Sequence, residues 1–442
     1  MSVVPTDAQS RIEKLLSDLL NENTSDISPQ SRNEAFLLGL INKVVPDITP
    51  VSRVECYLKA LCEKNAGSSG GGSGSGGGGG SSVALNDVNF YDYNGTLVAS
   101  YSLSEAQSLT ALPDGPVHNG LTFQGWNYTL DKVKAFTRPM NVGAMYITDD
   151  GKTRLHIRIA AEGRMNVPLY ISQTVANGVT IDWGDGSATE TLAGTGKVNT
   201  THTYASIGDY VITLDPVDGC ELGFGDGTSS YCVMGATDNA GIVYRNMLQT
   251  VQVGISVTSI GNYAFNECYS LASITIPSSV TRISGYAFND CYSLASVTIP
   301  DGVTRIGDYA FCKCYSLASV TIPYSVTSIG ISVFGYCYSL ASVTIPDGVT
   351  SIGNYAFRGC YSLASVTIPD GVTSIGSSVF TYCYGVAEYH LKPKTPPTLS
   401  NKNAFANIPS DCVIYVPAGC LEAYQNATNW ATYASKMQEE PV

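Results

Sequence analysis

The sequence predicts a multidomain, mainly β chain. A small α-helical head at residues 1–66 is followed by a Gly-rich linker at 67–82 and β-sandwich-like modules at 83–150 and 151–250. A C-terminal solenoid of repeats at 251–394 ends in a cap at 395–442. Three observations carry this prediction. The phrase CYSLASVTIP stands at 291–300, and close copies begin at Cys268, Cys314, Cys337 and Cys360, each 23 residues from the next, with a shorter CYG at Cys383. A second repeat, of 21 residues, occupies the first 66. Sixteen residues of Gly and Ser alone separate the two.

The chain has 442 residues, too many for one ordinary core. Charged residues make up only 14%, and Tyr (28) far exceeds Phe (12) and Trp (3). Low charge with much Tyr, Ser, Thr and Gly suits exposed β-rich surfaces better than a metabolic enzyme. A net charge of −13 argues against a nucleic-acid partner, whose phosphates need a basic surface. The opening MSVVPTDAQSRIEKLL lacks the basic start and apolar stretch of a secretory signal, and no C-terminal anchor signal is visible. Apolar runs such as AFLLGLI are too short for membrane insertion. Synthesis in a cytoplasm without an evident export route is the expectation.

In the head, SRIEKLLSDLL starts at Ser10, SRNEAFLLGLI at Ser31 and SRVECYLKALC at Ser52. Leu16, Leu37 and Leu58 match, as do Leu19, Leu40 and Leu61. Apolar positions three and four apart form one helical face. Ser28 and Thr49 fit N-caps, with Pro29 and Pro50 at the first helical position. Pro46 and NENTSD forbid one continuous coiled coil. Three short amphipathic helices result, and none is stable alone, so they meet each other or a partner. The linker GSSGGGSGSGGGGGSS spans roughly 20–25 Å r.m.s. and cannot build a core.

Residues 83–150 read as short strands and turns. VNFYDYNGTLVASYS carries an Asn-Gly turn between alternating segments, and AMYITDDGKTRLHIRIA predicts a second hairpin around an Asp-Gly turn. Phe123 and Trp126 are available for a small core. Residues 151–250 hold VTIDWGDGSATETL, a strand running into a tight turn, and THTYASIGDYVITL, an alternating segment ending in an apolar strand. This pattern resembles the polycystic-kidney-disease (PKD) type β-sandwich, with His202 and Tyr204 on its H-x-Y. The resemblance implies a spacer or adhesion module without a catalytic site.

Units of the solenoid begin at Val257, Val280, Val303, Val326, Val349 and Val372. Repeats of this length build solenoids, because each unit must cover the apolar face of the last. SVTIP is β-branched and alternating, which predicts one strand per coil, closed by Pro, with Ile, Phe, Cys and Leu in interior ladders. The phrase resembles the BspA-type leucine-rich repeat of bacterial surface proteins. CVIYVPAGCLEAYQNATNWATYASKM resembles the terminal cap of such arrays. Both imply a binding module rather than an enzyme.

Chemistry-bearing motifs are sparse. HExxH, P-loop and EF-hand patterns are absent, and no cofactor or metal is expected. His118, His156, His202 and His390 are scattered. Asp182 and Asp185 flank a turn and are expected to cap it, with bound calcium the rarer outcome. Thirteen cysteines cannot all pair within one chain. Those at 268, 291, 314, 337, 360 and 383 follow the repeat and are expected to be reduced, buried and apolar. The CKC at Cys312–Cys314 is a lone feature. Tyr269, Tyr292, Tyr315, Tyr338, Tyr361 and Tyr384 should stack in one column, as a packing ladder or as an aromatic platform.

The two residues between Phe and Cys vary most among the repeats: Asn266-Glu267, Asn289-Asp290, Cys312-Lys313, Gly335-Tyr336, Arg358-Gly359 and Thr381-Tyr382. A packed interior could not tolerate that spread, which predicts an exposed stripe. Its candidate ligand-binding residues are Asn266, Glu267, Asn289, Asp290, Lys313, Tyr336, Arg358 and Tyr382. Drift at a surface that touches nothing is the alternative.

Repeated SR.E..L..L helices before a Gly-rich linker also resemble the heads of gut bacteriophage tail fibre or receptor-binding proteins. The first functional expectation is therefore a phage, or phage-like particle, tail adhesin in the virion. Residues 1–66 would dock on a tail or baseplate protein, and the solenoid would bind a bacterial surface receptor, glycan or protein. A homo-oligomer such as a trimer suits that head. The alternative is a BspA-like adhesin on the bacterial cell surface, binding host or community ligands. A polysaccharide-degrading enzyme needs two placed carboxylates, and nothing singles out such a pair.

Overall fold

The computed structural model describes residues 88–93, 96–128, 130–134, 140–148, 150–225, 232–235 and 242–441. The three expected head helices and the linker lie outside the described residues.

Val88–Tyr91 pairs antiparallel with Leu97–Tyr101, with Val88 opposite Tyr101, as the first expected hairpin. Val88–Tyr91 also runs parallel to Met140–Thr148, whose other edge takes Leu121–Trp126. Phe90, Trp126, Val142 and Tyr146 form the core of this four-stranded sheet, covered by the short helices Leu103–Gln107 and Leu130–Lys134. The first helix opens with a capping box: Ser102 Oγ accepts from Glu105 N–H, and the Glu105 carboxylate accepts from Ser102 N–H.

The second expected hairpin does not form. Met140–Thr148 stays in the first sheet, while Thr153–Ile159 pairs with Gly208–Pro216 on one edge and Leu248–Gln252 on the other. Thr153–Ile159 is largely buried and gains two partners this way, where a hairpin supplies one. The Asp-Gly turn instead marks the passage between modules. There Arg154 Nη1 donates to Asp150 Oδ1 at 3.0 Å, and Gly151 takes φ 75°.

Residues 153–223 fold into two facing sheets. One contains Thr153–Ile159, Gly208–Pro216, Val179–Asp182 and Glu190–Thr191; the other contains Leu222–Gly223, Asn166–Gln173 and Gly196–Thr203. Asn166–Gln173 alternates, burying Val167, Leu169, Ile171 and Gln173 against Leu155, Ile157, Ile181 and Trp183.

Leu248–Gln252 joins this sandwich to the solenoid. It is antiparallel to Thr153–Ile159 and parallel to Ser273–Thr275, the first long strand of the array. The boundary expected between residues 250 and 251 thus falls inside a strand that belongs to both neighbours. One sheet of nine strands runs from Glu190–Thr191 to Ser342–Thr344.

Each coil carries two strands rather than the one expected. The SVTIP strand is joined by a short one from V-T-x-I: Ser259–Ile260, Arg282–Ile283, Arg305–Ile306, Ser328–Ile329, Ser351–Ile352 and Ser374–Ile375. Both runs are β-branched and alternate, so both fit a pleated, half-buried surface. Between them the chain turns through two left-handed residues per coil, at Tyr263 and Glu267 in the first (φ 60° and 59°) and at Tyr286 and Asp290 in the second (57° and 60°). Such angles are costly for non-glycine residues. They persist where the N–H donates to the next coil, as from Tyr263 to Gly285 O and from Glu267 to Asn289 O.

Inside, Phe265, Phe288, Phe311, Phe334, Phe357, Phe380 and Phe405 stack with centroids 5.1–5.7 Å apart. Val, Ile, Leu and Cys ladders are buried beside them. At the C-terminal end Trp430 and Tyr433 close on Phe405, Tyr424 packs edge-on against Trp430, and Trp430 Nε1 donates to Pro397 O at 2.7 Å. At the other end the first module lies against the long-strand face. Ala295 belongs to its core, Ala318 packs on it, and Ser296 Oγ donates to Met145 Sδ at 3.8 Å.

Candidate binding faces of the solenoid

The variable pairs do not form an exposed stripe. Asn266 and Asp290 are buried (5% and 8% exposed), and Glu267, Asn289, Lys313, Tyr336, Arg358 and Tyr382 are half-buried. The second residue of every pair is left-handed, at 59° for Lys313, 61° for Tyr336, 73° for Gly359 and 66° for Tyr382. Its N–H points along the stack to the next coil, as from Lys313 to Gly335 O and from Tyr336 to Arg358 O. That turns the side chain along the column, half covered by its neighbours.

In the first three coils the charged and amide groups of the stripe pair with one another and with Arg245. Glu267 Oε2 accepts from Arg245 Nη2 at 2.7 Å, and the Arg245 side chain is fully buried. Asn289 Nδ2 donates to Asn266 Oδ1 (2.9 Å) and to Asp290 Oδ2 (2.7 Å). Lys313 Nζ lies 3.1 Å from Asp290 Oδ1.

The last three coils bring together Tyr336, Arg358 and Tyr382, with Tyr355 as an unexpected fourth member. The Arg358 guanidinium carbon lies 5.7, 5.4 and 5.3 Å from the ring centroids of Tyr336, Tyr355 and Tyr382. Its Nε is shielded from solvent without a hydrogen-bond partner. Gly359 makes the cluster fit: a Cβ there would meet Tyr336 Cδ1 at 3.0 Å. Tyr355 belongs to a second tyrosine column. Tyr263, Tyr286 and Tyr309 stack at 4.8 and 4.7 Å, while Ser332 and Ser378 replace tyrosine in the fourth and sixth coils. In those two coils a tyrosine stands four residues later, at Tyr336 and Tyr382. Both positions are left-handed, so the aromatic moves from one kinked site to the other.

The expected tyrosine column forms, with centroids 4.5, 4.5, 4.6 and 4.6 Å apart from Tyr269 to Tyr361 and 5.6 Å to Tyr384. Ring faces inside it are covered by one another, which is the geometry of a packing ladder. Tyr384, at the end, is 38% exposed.

In the sandwich, Asp182 Oδ1 accepts from Gly184 N–H and Asp185 Oδ1 from Ser187 N–H, the capping expected of them. His202 stacks on buried Trp183 at 4.7 Å and lies 2.8 Å from Asp185 Oδ2. Bonds from the Ser187 side chain, then His202, hold the Asp185 carboxyl down at about 2. The recurring cysteines are free and buried, and burial lifts their thiols well above the ordinary value. Cys232 Sγ, 4.0 Å from Cys268 Sγ, approaches that ladder. Among the described residues no three His, Cys, Asp or Glu side chains gather as a metal site would need, and no helix is long and apolar enough to cross a membrane.

The family described as BspA type Leucine rich repeat region matches residues 242–363 and 304–428, in six copies. The matched span covers the solenoid with most of its cap. A Leucine Rich Repeat protein of T. pallidum is 29% identical with a TM-score of 0.29, covering 33% of this chain and 72% of its own. A leucine rich cell surface protein of Faecalibacterium prausnitzii is 25% identical with a TM-score of 0.30, covering 42% of this chain and 64% of its own. A leucine-rich repeat protein from Bacteroides ovatus is 22% identical with a TM-score of 0.27, covering 48% and 68%. No curated protein matches the chain.

Proposed function

We propose that the chain is a bacterial cell-surface adhesin whose solenoid binds host or community ligands and catalyses no reaction. The BspA-type match across the array carries this reading. The array's packing supports it: the interior is filled with apolar side chains, leaving polar and charged groups on the outer faces. In this reading the sandwich, PKD-like in its WGDGS and H-x-Y motifs, is a spacer, and the pairs around Arg358 contribute to recognition. A tail adhesin docking through residues 1–66 is the weaker reading, because it rests on residues outside those described and the family match begins at residue 242.

Antibody against the solenoid, applied to intact producing cells and to purified phage particles, separates the two. Label on the cells and none on particles is expected. Label confined to particles sinks the adhesin reading.

A further inference from the structure

The short-strand face carries a groove that the variable stripe does not touch. One hollow of about 340 Å³ is lined by Asn262, Arg282, Ser284, Arg305 and Asp308 among others. A second, of about 560 Å³, shares Arg305 and Asp308 and continues along Ser328, Ser351, Asn354, Ser374 and Ser400. Glycines floor it, as at Gly307, Gly330 and Gly353, where a Cβ would come within 2.4–2.7 Å of the preceding coil.

Arg282 and Arg305 are exposed and directly in register on parallel strands, so their Cα atoms stand about 4.8 Å apart. Like charges directly opposite destabilise a sheet. Neither arginine joins an ion pair among the described residues, although the chain carries 37 acidic residues against 24 basic. At the same position Ser259, Ser328, Ser351 and Ser374 show that the array folds without arginine. Asp308 is the carboxylate lining both hollows, and its Oδ1 is engaged by Ile331 N–H at 2.7 Å.

We propose that this groove binds an acidic oligosaccharide, a carboxylate or sulfate held between Arg282 and Arg305 and its sugar hydroxyls lying along Ser328, Ser351, Asn354 and Ser374. This names a ligand class for the surface-binding reading and rests on it. Two arginines in adjacent register offer forked donors that match the geometry of such an anion. The neutral hydroxyl and amide groups further along suit sugar hydroxyls. A denser polyanion such as a nucleic acid meets only two cations here, on a chain of charge −13.

The test is calorimetric titration of the full chain with oligogalacturonate, with a chondroitin sulfate oligosaccharide and with a neutral dextran oligosaccharide. The comparison is the double variant Arg282→Ser, Arg305→Ser, which places the array's own residue at both positions. The wild type is expected to bind one or both acidic sugars, with affinity falling as salt rises, and the acidic arm that binds identifies the anion as carboxylate or sulfate. The variant is expected to lose at least tenfold in affinity while melting at or above the wild-type temperature. Equal binding by the variant, or binding of dextran alone, overturns the proposal. Failure of both acidic sugars while the protein still attaches to cells overturns the groove and leaves the adhesin reading standing.

Discussion

Cys291 donates its thiol hydrogen to the carbonyl oxygen of Phe265, 3.2 Å away and 26 residues back. The bond recurs from Cys314 to Phe288, Cys337 to Phe311, Cys360 to Phe334 and Cys383 to Phe357. The Phe265 carbonyl already accepts from Cys268 N–H at 3.3 Å, and the small thiol supplies a second, weak donor to its free lone pair within an apolar column. Cysteine therefore fills a position where alanine would leave a void and remove the second donor to that oxygen. Replacing Cys337 by Ala should cost about 1 kcal/mol, read from the urea midpoint. In native protein Cys268, Cys291, Cys337 and Cys360 should resist thiol reagents and react only after denaturation. Rapid native labelling of all four would displace the ladder.

The same burial predicts an alkaline limit. It lifts Cys312 and Cys383 from 9.0 to about 12 and Cys412 to about 11. In the unfolded chain these thiols ionise near pH 9, while the folded chain keeps the protons. Stability is therefore independent of them below about pH 9 and falls as pH rises from 9 toward 12. Melting temperature against pH, for the wild type and Cys383→Ala, should show a shallower alkaline decline in the variant.

The left-handed turns make a directional prediction at Lys313 (φ 59°). Asn tolerates this conformation and a β-branched residue does not. Lys313→Val should be less stable than Lys313→Asn by about 1–2 kcal/mol, with the ion pair to Asp290 lost equally in both. Equal denaturation midpoints would show that this turn relaxes freely.

Arg358 should matter to stability as well as to recognition, because Tyr336, Tyr355 and Tyr382 surround it. Arg358→Ala should cost about 1–2 kcal/mol. Arg358→Lys should recover only part of that, since the ammonium cannot stack as a plane. An unchanged urea midpoint for Arg358→Ala would return these residues to a freely drifting surface.

Much of the array was legible in the sequence, because a 23-residue spacing repeated in register admits few packings. The Phe and Cys ladders and the first tyrosine column follow directly from it. The burial of Asn266 and Asp290 was not legible, because variation among repeats alone cannot distinguish an exposed position from one packed against the next coil. The exchange of Ser332 and Tyr336 for Tyr309 and Lys313 was visible as a four-residue shift of tyrosine, and its meaning lay in backbone angles that side-chain patterns do not record. The failed hairpin at Gly151 has a similar cause: local turn chemistry was sound, but Leu248–Gln252, a hundred residues away, offered Thr153–Ile159 a better edge. Arg245 carried no periodic signal at all, and only its burial beside Glu267 reveals it.

The central claim, binding without catalysis, is tested most directly by titrating purified full-length chain onto intact bacterial cells and onto wells coated with host extracellular matrix, while assaying the same mixtures for released reducing sugar ends. Saturable retention on at least one surface, competed by unlabelled protein and without release of reducing ends, is the predicted result. Absence of saturable retention on every surface, or release of reducing ends in proportion to added protein, would contradict it.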